Sequence, residues 1–351
     1  MENTNEINPE NSLTPPVEQT PATSELNAVA NLPTQAELNY IQGTVEKIRE
    51  EIQKVVIGNT QLLELILSGF FSGGHILLEG VPGVAKTLMA KLISQTMNLA
   101  FKRIQFTPDL LPSDLIGVSI YNMQKGEFYF KRGPLFTNLV LIDEINRSPA
   151  KTQAALFEAM EEKQITVDGE THALPQPFFV MATQNPIEQE GTYRLPEAQL
   201  DRFIFRLKVG YPDLEAETAI LQRFKGDFGQ TKMEKVNHVI DSFDIEKCVR
   251  IIERIHIKDE LIRYIATIVH QTRNNSALFM GASPRASLSI LKAAKAMAVI
   301  RGRDFVTPDD IQTVAYPVLN HRIILSPEKE MEGLTSEQLI KEMIAAIEVP
   351  R

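Results

Sequence analysis

The chain's 351 residues suffice for two domains, and a hydrophobic content of 43% can fill a sizeable core. A net charge of −9 lacks the basic surplus of a general nucleic-acid binder, so nucleic acid is not the expected partner, and only a local basic pore escapes that argument. The one cysteine excludes a disulfide framework and a thiolate metal site, and no apolar stretch reaches the roughly 18 residues that span a bilayer, so a cytoplasmic setting is expected.

Residues 1–35 are rich in Asn, Thr, Pro and Glu, and they lack the basic and apolar regions of a signal peptide. They read as a disordered tail. From Ala36 to about Val56 apolar residues recur at helical spacing (Leu38, Ile41, Val45, Ile48, Ile52). Val56-Ile57-Gly58 breaks the pattern, with two readings open: Ile57 and Gly58 pack on an adenine ring, or the glycine simply ends a helix.

The next segment is the most informative. An apolar run, Ile76-Leu77-Leu78, leads into Gly80-Val81-Pro82-Gly83-Val84-Ala85-Lys86-Thr87, and Leu88, Met89, Leu92 and Ile93 then recur at helical spacing. Strand, glycine turn and helix make a phosphate cradle in which backbone N–H groups point at the nucleotide, Lys86 neutralises the β/γ charge and Thr87 binds Mg²⁺. The general pattern has Gly where this chain has Ala85, a replacement the loop tolerates if that position is helical. Gly80 to Leu88 are therefore the candidate residues for ATP.

Ala100 to Phe106 reads as a strand, and Val118 to Phe130 as a hairpin around Gln-Lys-Gly. Leu139-Val140-Leu141-Ile142-Asp143-Glu144 is an apolar run ending in two carboxylates, the mark of a central parallel strand delivering acids to its C-terminal edge. Asp143 is expected in the Mg²⁺ shell and Glu144 on the attacking water, which makes hydrolysis the expected chemistry. Gln164 to Leu174 is a second hairpin, turning on Asp168-Gly169. Either hairpin is a projection that grips a substrate in a ring pore or an ordinary edge decoration. Phe178 to Ala182 forms a further strand ending near Asn185, whose amide can sense the γ-phosphate or the water. Before the last strand, Ile204 to Val209, an arginine at a domain edge can reach a neighbouring subunit's site, and Arg194, Arg202 and Arg206 compete for that role.

Beyond Asp213 the pattern turns helical with no further strand expected: Leu214–Phe224, Ile245–Ile255, Asp259–Arg273, Pro284–Arg301, Pro308–Asn320 and Ser336–Ile347. Thr307 and Thr335 carry helix-start signals. Cys248 falls among Ile245, Val249 and Ile252 and reads as a small core residue. Arg285 lies in a first helical turn, where the dipole disfavours a cation unless an anion such as a γ-phosphate offsets it.

Taken together, GVPGVAKT (80–87), LIDEINRSP (141–149), ATQNP (182–186), GTYRLPEAQLDRF (191–203) and GASPRA (281–286) resemble the MoxR family of AAA+ ATPases from about Ala36 to the C-terminus. The resemblance implies an α/β P-loop αβα core (36–212) and a small all-α lid (213–351). It implies Asn185 as sensor 1, Arg202 as arginine finger, Arg285 as sensor 2 acting in cis or in trans, and the Val118–Phe130 hairpin as a helix-2 insert. Ala85 is usual in that family, whereas Arg194 stands where it generally has Pro. The resemblance further implies a hexameric homo-oligomer that remodels protein clients with von Willebrand factor A-domain partners. A nucleic-acid motor using Lys125, Lys131 and Arg132, or a magnesium-chelatase-type subunit, is the alternative.

Overall fold

A computed structural model describes residues 32–81, 83–185, 193, 195–225 and 236–350. The candidates Pro82 and Arg194, the segment 186–192 and nearly all of the expected tail lie outside these described residues. The first helix, α1 (Gln35–Gln53), starts one residue inside the expected tail because Thr34 and Glu37 form a reciprocal capping box. It buries Leu38, Ile41, Val45, Ile48 and Ile52, the periodic positions of the sequence. Then follow α2 (Thr60–Phe71), β1 (His75–Gly80), α3 (Lys86–Thr96), β2 (Phe101–Gln105) and the short α4 (Pro112–Ile116). The first hairpin is β3 (Gly117–Asn122) with β4 (Glu127–Arg132), and β5 (Leu139–Asp143) ends at the predicted acids. The helix α5 (Ala150–Glu162), absent from the sequence reading, precedes the second hairpin, β6 (Gln164–Val167) and β7 (Glu170–Ala173). The core closes with β8 (Phe179–Gln184), α6 (Glu197–Leu200) and β9 (Phe203–Val209).

The five strands outside the hairpins form one parallel sheet in the order β2-β5-β8-β1-β9. Their near-continuous apolar runs follow from burial on both faces. Ile76, Leu78, Leu139, Leu141, Phe179 and Met181 enter one core with α1, α2 and α3, whereas Leu77, Val140, Ile142, Val180 and Ala182 face α5. Strand alternation thus splits each run between two cores. A parallel sheet also collects its C-terminal strand ends on one edge, and that edge receives Gly80, Asp143 and Gln184.

Both predicted hairpins are present. Asp168 and Gly169 turn the second with positive φ (51° and 82°), as a two-residue turn of this hand requires. The hairpins touch each other: the Ser119 hydroxyl donates to Asp168, and the His172 ring stacks on Phe130 at 4.5 Å and 15°.

The helical part comprises α7 (Leu214–Phe224), α8 (Ser242–Glu253), α9 (Asp259–Arg273), α10 (Pro284–Ile300), α11 (Pro308–Leu319), α12 (Pro327–Met331) and α13 (Ser336–Ala345). The expectation of no further strand is corrected by β10 (Leu278–Met280) and β11 (Ile324–Leu325), a two-stranded antiparallel ladder too short for periodicity to reveal. The capping boxes at Thr307 and Thr335 are both formed. Cys248 is fully buried, and burial pushes its thiol up to about 12, so it is the inert core residue expected. The α10 helix packs on α2, with the Ser68 hydroxyl donating to the Ala293 carbonyl, so the C-terminal helices share one core with the first two.

Candidate functional site

Gly80, Gly83, Val84, Ala85, Lys86, Thr87 and Leu88 wrap one side of a cavity of about 400 Å³ at the C-terminal edge of the sheet, and Asp143, Glu144 and Asn185 line the other. Three sequence segments more than forty residues apart therefore meet around a volume suited to a small ligand. Gly83 adopts φ +86°, and a Cβ on Gly80 would lie 2.3 Å from the Val209 carbonyl oxygen, so both positions need glycine. Ala85 is not helical: it caps α3 in the left-handed region (φ 59°, ψ 20°). This corrects the condition under which its tolerance was expected. The general pattern has glycine there because of that backbone, and alanine costs about 1–2 kcal/mol of strain. Val81 leads into the loop just outside the cavity. Ile57 and Gly58 do not line it among the described residues; a Cβ on Gly58 would meet Ala216 of α7 at 3.2 Å.

Each charge in the cavity has a partner within the chain. The Lys86 ammonium donates to the Gly80 carbonyl at 2.6 Å, and burial lowers its pKa while Asp143 and Glu144 oppose the shift. Asp143, 8% exposed, accepts from the Thr183 hydroxyl at 3.2 Å and from Arg103 Nε at 2.6 Å. Glu144 has left the strand in a left-handed conformation (φ 58°), its N–H donating to the Thr183 hydroxyl. Gln105 Nε2 and Arg147 Nε lie 2.8 Å from its Oε2. Sequence reasoning missed Arg103 and Gln105 as site residues. The available signal is their spacing of two on β2, which sends both side chains to one face beside the acids of β5.

Arg202 and Arg285 are elsewhere. Both line a second cavity at the N-terminal edge of the sheet, beside His75 and Ile204, and it shares no lining residue with the first. One carboxylate joins them: Glu161, at the end of α5, accepts from Arg202 and from Arg285 at 2.8 Å each. The anion that offsets the α10 dipole against Arg285 is thus Glu161, with Asp201 at 4.0 Å. Beneath the pair the buried Arg322 donates to Asp201 Oδ1 at 2.6 Å and to the carbonyls of Asp201, Phe203 and Ile204, locking the backbone that carries Arg202. Arg206 is engaged by both oxygens of Glu79, at 2.8 and 2.9 Å.

A fold of this topology with such a loop has known counterparts. Residues 75–205 match the model of the ATPase family associated with various cellular activities (AAA), and residues 270–343 match that of the AAA lid domain. The uncharacterized protein YeaC of Bacillus subtilis is 47% identical over 304 residues, 87% of this chain and 94% of that one. Chaperone MoxR1 of Mycobacterium tuberculosis is 42% identical over 317 residues, 88% of this chain and 83% of its own. The chain belongs to the MoxR family of AAA+ ATPases. A crystal structure from Cytophaga hutchinsonii, of a protein described as a candidate ATPase, superposes on this MoxR-family chain with a TM-score of 0.83 at 43% identity, covering 93% of this chain and 99% of that one. Family membership makes the chain a nucleotide-binding ATPase. Among the described residues, no helix of this MoxR-family chain is long and apolar enough to cross a membrane.

Proposed function

We propose that the chain is one subunit of a ring, hexameric in the family to which it belongs, that hydrolyses ATP with Mg²⁺ and uses the energy to remodel a protein client. The reading rests on one observation. The phosphate cavity and the Arg202–Arg285 pair lie at opposite edges of the sheet, separated by the length of β1, six residues. At about 3.3 Å of rise per residue that is about 20 Å, beyond the reach of an arginine side chain. The arginine pair of one subunit then serves the phosphate cavity of the next, with Arg202 as finger and Arg285 as a sensor acting in trans.

Within one cavity the roles follow from chemistry. Lys86 pairs with the terminal phosphates, and the N–H groups of the loop, from Val81 to Leu88 except at Pro82, which has none, approach them closely. Thr87 and Asp143 are the residues that would hold Mg²⁺. Their hydroxyl and carboxylate oxygens are the hard donors Mg²⁺ takes, and among the described residues no cluster of three His, Cys, Asp or Glu side chains could hold a metal without phosphate help. When bound, Mg²⁺ neutralises charge on the β- and γ-phosphoryl oxygens. The Glu144 carboxylate orients the attacking water and takes its proton, and the Asn185 amide holds the water or the γ-phosphate. Ile57 and Gly58 stand outside the cavity lining, so they flank the base only where it extends beyond the phosphate cavity.

A protein client is favoured by the name chaperone carried by the mycobacterial relative and by the paired hairpins, whose tip exposes Met123 and Phe128 (90% and 71%). Von Willebrand factor A-domain partners and a cytoplasmic site of action come with the family resemblance. The test is turnover per chain against protein concentration, with mass measured in parallel. Turnover that rises as rings assemble is expected. Full turnover by isolated monomers overturns the reading.

A further inference from the structure

Among the described residues, Arg103 is the one cation lining the cavity that the roles above leave unused. It sits on β2, the edge strand of the sheet, with its side chain 53% exposed, and it meets Asp143, whose side chain is 12% exposed. Its Nε lies 2.6 Å from Oδ2, the oxygen opposite the one that accepts from Thr183. Both oxygens of the carboxylate assigned to the metal are therefore engaged by the protein itself. A guanidinium does not lose its proton in this setting, so it can leave the carboxylate only by swinging away. The half-exposed edge position leaves it free to do so.

We propose that Arg103 is a resident counter-ion of the metal carboxylate, holding Asp143 while no Mg²⁺–nucleotide is bound and displaced when one arrives. It thereby sets the Mg²⁺ concentration at which the site loads. This rests on the reading of Asp143 as the metal residue. Mg²⁺ takes oxygen ligands at about 2.0–2.1 Å, and a guanidinium 2.6 Å from the same carboxylate puts a like charge beside it, so the two cations compete for Asp143. Two adjacent carboxylates, Asp143 and Glu144, also need cations nearby. Arg103 and Arg147 supply them, one for each acid. Strand β2 is also aligned on β5 by its own backbone ladder, separately from the pair.

The experiment is binding of a fluorescent ADP analogue to the full chain as free Mg²⁺ is raised, repeated with Mn²⁺ followed by electron paramagnetic resonance. Arg103→Gln should lower the half-saturating Mg²⁺ by about three- to tenfold, the value of a partly exposed charged hydrogen bond. Arg103→Lys should fall between, since it keeps the charge and loses the fork. An unchanged or higher Mg²⁺ requirement in Arg103→Gln overturns the proposal. So does weakened binding of a non-hydrolysable ATP analogue with ADP unaffected, which would make Arg103 a γ-phosphate ligand. Lys86→Ala and Asp143→Asn in the same assay separate the two levels. If neither weakens Mg²⁺–nucleotide binding, the cavity has been misread. If both do while Arg103→Gln shifts nothing, only the counter-ion role fails.

Discussion

The two edges of the parallel sheet differ in how they are built. At the C-terminal edge, the phosphate cavity is assembled from short segments at strand ends: Gly80 and Gly83 to Leu88 at and after the end of β1, Asp143 and Glu144 at the end of β5, Asn185 after β8. At the N-terminal edge, Arg202 and Arg285 come from segments about eighty residues apart, and Glu161 and Arg322 hold them from two others, Arg322 through Asp201 beside Arg202. Local chain geometry shapes each segment of the first, because a strand end followed by a turn already aims backbone N–H groups at one point, and the strand ladders then set the segments side by side. The second exists only because the C-terminal helices fold back onto β9, where Asn320, His321 and Arg322 bond to the strand's carbonyls. On the proposed reading, one edge is the binding site and the other is a donor to a neighbour.

The sharpest way to break that contrast is Arg202→Ala. If the N-terminal edge serves the next subunit, phosphate release should fall by about 10³-fold or more, the cost of losing an essential finger. Mixing Arg202→Ala with Glu144→Gln chains should then restore part of the activity, because some interfaces pair an intact cavity with an intact arginine. No recovery in mixed rings would place the finger in its own chain. Glu144→Gln alone should cut turnover by about 10²- to 10⁴-fold while an ATP analogue still binds, since only the proton acceptor is removed. Normal hydrolysis by that variant moves the catalytic carboxylate elsewhere.

Acid should strike the N-terminal edge. His75 is buried there, its Nε2–H donating to the Met160 carbonyl and its Nδ1 accepting from Val180 N–H, and burial lowers its pKa from 6.5 to about 4. The folded chain holds it neutral, so its contribution is whole above pH 6.5 and is lost as pH falls toward about 4, a change of about 3 kcal/mol. His321, also buried and lowered, adds in the same direction. Urea midpoints at pH 7.5 and 5.0 should therefore differ less in His75→Gln than in the native chain. The smallest effect belongs to the C-terminal edge: Ala85→Gly should raise stability by about 1 kcal/mol by relieving the left-handed alanine. A loss of stability there would show that the loop carries no strain.

The amino-acid order by itself determined the nucleotide half of the molecule. Period-two and period-3.6 apolar patterns, glycine turns and capping residues act over a few neighbours, so β1, β5, β8, both hairpins and the long helices are legible along the chain, as are Gly80 to Leu88, Asp143, Glu144 and Asn185. Helix α5 escaped because its buried positions include Thr152, Gln153 and Ala159, which carry little apolar signal. The β10–β11 ladder escaped because two or three residues have no period. Only the tertiary structure decided which edge Arg202 and Arg285 occupy, that Glu161 joins them, that Arg206 is engaged by Glu79, and that Arg103 and Gln105 meet the acids of β5. The reason is physical: an ion pair between residues 40 or 124 positions apart leaves no local trace, because its geometry is set by strand register and helix packing and not by the chain between them.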